Sequence, residues 1–160
     1  MWNKSLKTVN RSVELLTAIF FFTMVVLVFF QIVSRAILGT SYAWTGELAR
    51  YLMIWITFLG ASFAFQYGAH ISIDIFVKKL PKRMIQITIV ITSLVIAAFL
   101  IILFIEGLNL MQLGQTQKAS ALQVPMAYVY LIIPVSSLLM LLNLIDTSVK
   151  NITSKKEENI

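Results

Sequence analysis

The sequence predicts an all-α, polytopic membrane protein, and three observations carry that prediction. Four long apolar stretches, roughly residues 13–38, 42–66, 85–110 and 124–145, fill most of the 160-residue chain. Each comes near or exceeds the ~20 apolar residues that a helix needs to cross a ~30 Å hydrocarbon layer. Hydrophobic residues make up 59% of the chain and charged residues 12%, about half the charged share of a soluble domain. Finally, ten of the thirteen basic residues fall before the first stretch, between the second and third, or after the fourth. Lys and Arg are retained on the cytoplasmic side, so both termini and the middle connection are expected inside. The organisation that follows is one four-helix transmembrane domain over residues 1–150 and a polar cytoplasmic tail over 151–160.

The first span is preceded by Lys4, Lys7 and Arg11 and closes on Gln31, Ser34 and Arg35, with Gly39 as a stop signal. Cleavage as a secretory signal is disfavoured. The apolar run from Leu15 to Val33 exceeds the 7–15 residues of such a segment, and Arg35 intervenes before Ser41-Tyr42-Ala43. A short connection then forces the first two spans into an antiparallel hairpin. The second span opens on Trp44-Thr45-Gly46-Glu47, with Trp44 where an interfacial aromatic belongs. Residues 70–81 mix apolar and charged side chains over too short a length to cross, which suits an amphipathic segment on the inner interface, lysines towards lipid headgroups. The third span is rich in β-branched residues and is expected to end near Glu106. An ordered outer loop over 107–123 follows, and Pro134 should disturb the fourth helix near Tyr130.

A few residues carry information beyond hydropathy. Glu47 and Arg50 share a helix face and can pair, and Arg35 can reach them across the hairpin. Such a cluster either recognises a partner or ion, or is an interfacial staple of snorkelling side chains. Gly60, Ala64 and Gly68 are spaced four apart, which lets another helix approach closely. Trp44, Glu47, Tyr51 and Trp55 line another face, as an interhelical contact or a lipid-facing girdle. His70 is the single histidine, with Asp74 one turn on; the pair suits an interfacial anchor and supplies too few ligands for a metal. No cysteine is present, and no nucleophile–base constellation or phosphate-cradling glycine loop appears, so neither enzyme activity nor a cofactor is expected. The net charge of +6 flanks the spans and forms no aromatic-interleaved stripe, which argues against a nucleic-acid partner.

Two motif blocks resemble one family. The first is Trp44-Thr45-Gly46-Glu47-Leu48-Ala49-Arg50-Tyr51 with Trp55, Gly60-Ala61, Gly68 and His70-Ile71-Ser72-Ile73-Asp74. The second is Gln115 with Ala121-Leu122-Gln123-Val124-Pro125-Met126, then Val129-Tyr130 and Ile133-Pro134. Together they resemble the small membrane subunit, the DctQ-like component, of tripartite ATP-independent periplasmic (TRAP) transporters. Gly46 stands where that family often has a second acidic residue, and Gln66-Tyr67 where a basic residue is usual. The resemblance implies a non-catalytic scaffold in the bacterial inner membrane. Its partners would be a large sodium-coupled elevator subunit, a periplasmic substrate-binding protein and membrane lipids. The cargo would be an organic acid such as a C4-dicarboxylate, a sialic acid or another sugar acid. On that reading Trp44, Glu47, Arg50, Trp55, Gly60, Ala64 and Gly68 define the interface or the hairpin. Arg35 edges the hairpin, His70 and Asp74 anchor the inner interface, and Gln115 and Pro125 shape the outer loop. Two other functions compete: a self-contained homo-oligomeric transporter or channel, and the membrane anchor of a respiratory enzyme. The first would want an ionisable residue at mid-span, and the second a further histidine.

Overall fold

A computed structural model describes residues 2–68 and 82–157 of the chain. The described residues form α1 (Trp2–Leu38), α2 (Ala43–Gly68), α3 (Lys82–Leu113), the short α4 (Ala127–Tyr130) and α5 (Ile132–Glu157). Four stretches within them are long and apolar enough to cross a membrane: Leu6–Leu38, Ala43–Phe65, Val90–Leu113 and Ala127–Ser148. In hydrocarbon every backbone donor and acceptor needs an internal partner, which is why such sequences settle as helices. Hydroxyls obey the same rule: Thr17, Thr57 and Ser137 each donate to a carbonyl of their own helix, at 2.7, 2.8 and 2.9 Å.

Packing runs α1 against α2, α2 against α5, and α5 against α3. The helices therefore stand in an open row, with α1 and α3 at the edges. Burial follows from that order. Over an eighteen-residue apolar stretch of the span formed by α4 and α5, 44% of residues are buried, against 6% over the corresponding stretch of α1. The core lies where α2, α3 and α5 meet, around Leu100, Met140 and Leu144. Large apolar side chains such as Phe22, Phe29, Leu94 and Phe99 face outwards from the two edge helices.

Four boundaries differ from the sequence reading. α1 begins at Trp2, so it is 37 residues and about 55 Å long, well beyond the hydrocarbon thickness. Once a helix is nucleated, extension costs little, and Asn10 gains a buried contact by it. For the same reason α5 continues to Glu157, through most of the stretch read as a tail. α3 passes Glu106 and ends at Leu113; Glu106 is exposed and accepts a hydrogen bond from Asn109 Nδ2 at 3.3 Å. The disturbance expected from Pro134 falls at Leu131, between α4 and α5. The amphipathic segment expected over 70–81 lies outside the described residues, as do His70 and Asp74.

Candidate functional site

Among the described residues, the polar group with the most hydrogen bonds shown is the carboxylate of Glu47, at one end of the row. Gly39, with φ of +67°, turns the chain out of α1, and Thr45 Oγ1 donates to the Tyr42 carbonyl at 2.7 Å where α2 begins. This start places Glu47 in the opening turns of α2, only 6% exposed. Above it lies the connection from α3 to α4, residues 114–126. Within it Gln123 N donates to the Ala119 carbonyl at 3.1 Å, closing a single helical turn. The first amides of any helical turn lack intrahelical acceptors and gather positive partial charge. Glu47 takes all three of them: Ser120 N at 2.9 Å on Oε1, and Ala121 N and Leu122 N each at 2.8 Å on Oε2. Tyr51, one turn along α2, adds its hydroxyl to Oε1 at 2.9 Å. One carboxylate thus caps a turn more than seventy residues away in sequence.

The rest of the loop is pinned by its own backbone. Ala119 N donates to the Val124 carbonyl at 2.9 Å, Met126 N to Gln117 at 2.9 Å, and Ala127 N to Gly114 at 3.1 Å. Gln123 holds a left-handed φ of 55° to close the turn. Gly114 is needed for space: a Cβ there would stand 2.7 Å from Ala127 N. The product is a fixed platform with Gln115, Gln117, Lys118 and Ser120 exposed on it.

The structure brings some of the expected site residues together and leaves others apart. The carboxylate of Glu47 faces amides and Tyr51, whereas Arg35 and Arg50 are exposed at the same end of the row. A buried carboxylate needs several close donors, and backbone amides already fixed in a turn supply them at little entropic cost. Trp44 is 41% exposed. Trp55 meets Phe20 of α1 edge to face at 5.8 Å, so this part of the aromatic row is an interhelical contact. Gly60 and Ala64 lie on an open face of α2, and a Cβ at Gly60 would meet nothing within 4 Å. Gly68 is the last residue of α2. Gln115 is exposed, and Pro125 bridges to Lys118 across the loop.

Three features escaped the sequence reading. The amides of residues 120–122 leave no mark in a sequence, because every residue but proline has one. Gly107 is a second close approach: a Cβ would stand 2.9 Å from Ile133 Cγ2 and 3.0 Å from Pro134 N, so α3 and α5 touch there. At the opposite end of the row, Asn10 of α1 and Asn143 of α5 exchange side-chain amide bonds of 2.7 and 3.1 Å. Asn143 also donates to the Ser62 carbonyl of α2 at 2.8 Å, which ties three helices at one point. Asn143 within an apolar run was the available signal for one half of the pair.

Comparison with known proteins agrees with this architecture. Residues 24–154 match the family described as tripartite ATP-independent periplasmic transporters, DctQ component. A TRAP small permease relative from Haemophilus influenzae is 38% identical over 73 residues, 46% of this chain and 45% of the relative. The isethionate TRAP transporter permease protein DctMQ of Oleidesulfovibrio alaskensis is 33% identical over 110 residues, covering 68% of this chain and 17% of that protein. The ectoine TRAP transporter small permease protein TeaB of Halomonas elongata is 30% identical over 129 residues, 78% of this chain and 66% of its own length. The matched region thus spans under half of the first relative and under a fifth of the second.

Proposed function

The chain belongs to the DctQ component family of TRAP transporters, and from that premise we propose a non-catalytic scaffold subunit of a sodium-coupled organic-acid importer. In this role it stands beside the large membrane subunit and gives a moving transport domain a fixed frame to move against. The Glu47 cap carries this reading. It spends the buried charge of the second span on the chain's own backbone, leaving that carboxylate saturated and the loop rigid. An open row of helices offers unpartnered faces to a larger neighbour, and the Gly60–Ala64 face of α2 allows the closest approach. The capped end is assigned to the periplasm, because the basic residues crowd the opposite end and connection. The 114–126 platform then faces the substrate-binding protein.

Selection of cargo belongs to the partners. Relatives at 26–33% identity are named for isethionate, ectoine, C4-dicarboxylate and sialic acid, so likeness in this subunit does not follow the solute. Reconstitution tests the reading. Proteoliposomes holding this chain with the large subunit should take up a carboxylate when a sodium gradient and the binding protein are supplied. Vesicles holding this chain alone should take up none, and sodium-driven uptake by those vesicles would reject the scaffold role.

A further inference from the structure

One face of the edge helix α3 is occupied by its own chain: Leu100 is buried in the core and Gly107 touches Pro134 of α5. On the opposite side Val95, Phe99, Ile102, Glu106, Asn109 and Leu113 succeed one another at steps of four, three, four, three and four residues. All six are exposed, the four apolar ones by 60–62%. That rhythm is the seam into which a second helix packs, knobs into holes, at a shallow crossing angle. At its outer end the seam opens into a hollow of about 420 Å³ lined by Asn109, Gln112, Leu113 and Thr116, so the face is concave there rather than flat.

Two consecutive positions of the seam are polar, and they select the occupant. Glu106 lies seven residues, about 10 Å, before the end of α3. Its neighbour Gly107 is level with Ile133 and Pro134, inside the Ala127–Ser148 span. Among the described residues one hydrogen bond reaches its carboxylate, from Asn109 Nδ2 at 3.3 Å, whereas Glu47 takes four from its own chain. Lipid chains carry no donors, and a glutamate is too short to reach the interface as snorkelling Lys and Arg do. A second copy of this chain is a poor fit on charge. Copies share one orientation in a membrane, so two-fold pairing on this seam sets Glu106 against Glu106. What fits is a different transmembrane helix with a cation at that depth. A polar pair at a seam position also fixes the register of the two helices. We infer that the α3 seam seats a transmembrane helix of the large membrane subunit and that a Lys or Arg of that helix pairs with Glu106. The partner's identity rests on the scaffold reading above, and the seam is a contact additional to the Gly60–Ala64 face.

Photo-crosslinking reads the seam directly. In the full chain co-expressed with the large subunit, p-benzoylphenylalanine is placed singly at Phe99, Ile102 or Leu113 on the seam, and at Leu94 or Ile101 beside it. Seam positions should give adducts with the large subunit and the flanking ones adducts with lipid alone, although all five side chains are exposed. Glu106→Leu and Glu106→Gln should melt no lower than the parent chain, yet each should co-purify with about tenfold less large subunit, the loss of one ion pair within a span. Glu106→Lys should abolish co-purification. Exchanging for Glu the cation of the large subunit that lies beside the Ile102 adduct should restore it. Seam adducts with lipid alone, or with a second copy of this chain, would overturn the inference, and so would undiminished co-purification of Glu106→Leu. If the parent complex still performs sodium-driven uptake, the scaffold reading survives that failure. Seam adducts with the large subunit, together with uptake by vesicles of this chain alone, would reject the scaffold reading and keep the seam.

Discussion

Glu47 and Leu122 lie 75 residues apart and meet through a 2.8 Å hydrogen bond from the Leu122 amide to Glu47 Oε2. With the neighbouring bonds from Ser120 and Ala121, it fastens α2 to the turn that roofs the row at that end. Geometry makes glutamine a poor substitute. A carboxylate offers two acceptor oxygens, whereas an amide offers one and turns an N–H towards amides that are themselves donors. Glu47→Gln is therefore expected to free the loop almost as fully as Glu47→Ala. Hydrogen exchange should show the amides of residues 120–122 losing protection in both variants, with α5 unchanged. Full protection in Glu47→Gln would mean that size rather than charge holds the turn.

Tyr51 allows the cap to be dissected. Its hydroxyl donates to Glu47 Oε1 and also lies 3.4 Å from Met126 Sδ. Tyr51→Phe removes one donor of four and leaves the three amides in place. It should lower the melting temperature of the purified chain by a few degrees, as a loss of about 1 kcal/mol does. The loop should stay protected from exchange, unlike in Glu47→Gln.

The glycines separate internal packing from partner contact. At Gly107 and Gly114 an added methyl meets backbone atoms at 3.0 and 2.7 Å, which a side-chain rotation cannot relieve. Gly107→Ala and Gly114→Ala should each destabilise the isolated chain by about 1–3 kcal/mol, read by thermal melting in detergent. At Gly60 the added atom meets nothing within 4 Å. Gly60→Leu should melt as the parent does, yet co-purify with about tenfold less large subunit, because a bulky side chain holds a neighbouring helix off. Undiminished co-purification would move the interface to another face.

How far the sequence could be read follows from the kind of force involved. Insertion of apolar helices depends on composition over some twenty residues, so all four spans were legible, and Trp44-Thr45-Gly46-Glu47 marked the start of α2 correctly. The order α1–α2–α5–α3 was not legible. In lipid, helices are sorted by shape rather than by hydrophobicity, and the shape lies in single positions such as Gly107 against Pro134. Glu47 stood out as a charge in a span with Arg50 on the same face, but nothing in its spacing pointed to the 120–122 turn or to the Tyr51 hydroxyl. The donors it found are backbone amides, which only a folded loop can present together.

The Asn10–Asn143 pair makes a prediction about the far end of the row. Both side chains are almost fully buried, at 4% and 2% exposure, and each is donor and acceptor to the other. Removing Asn143 leaves the Asn10 amide without its partner in an apolar setting and strips the Ser62 carbonyl of a donor, whereas removing Asn10 leaves Asn143 its bond to Ser62. Asn143→Ala should therefore cost more than Asn10→Ala. The double change should cost less than the sum of the two, with a coupling of about 0.6–2 kcal/mol typical of hydrogen bonds between membrane helices. The chain has no cysteine, so Asn10→Cys with Asn143→Cys can be probed directly for cross-linking. Oxidation should join α1 to α5 in the folded protein and not in the denatured one. Additive energies together with failure to cross-link would show that α1 is held by α2 alone and that its basic end is free of the row.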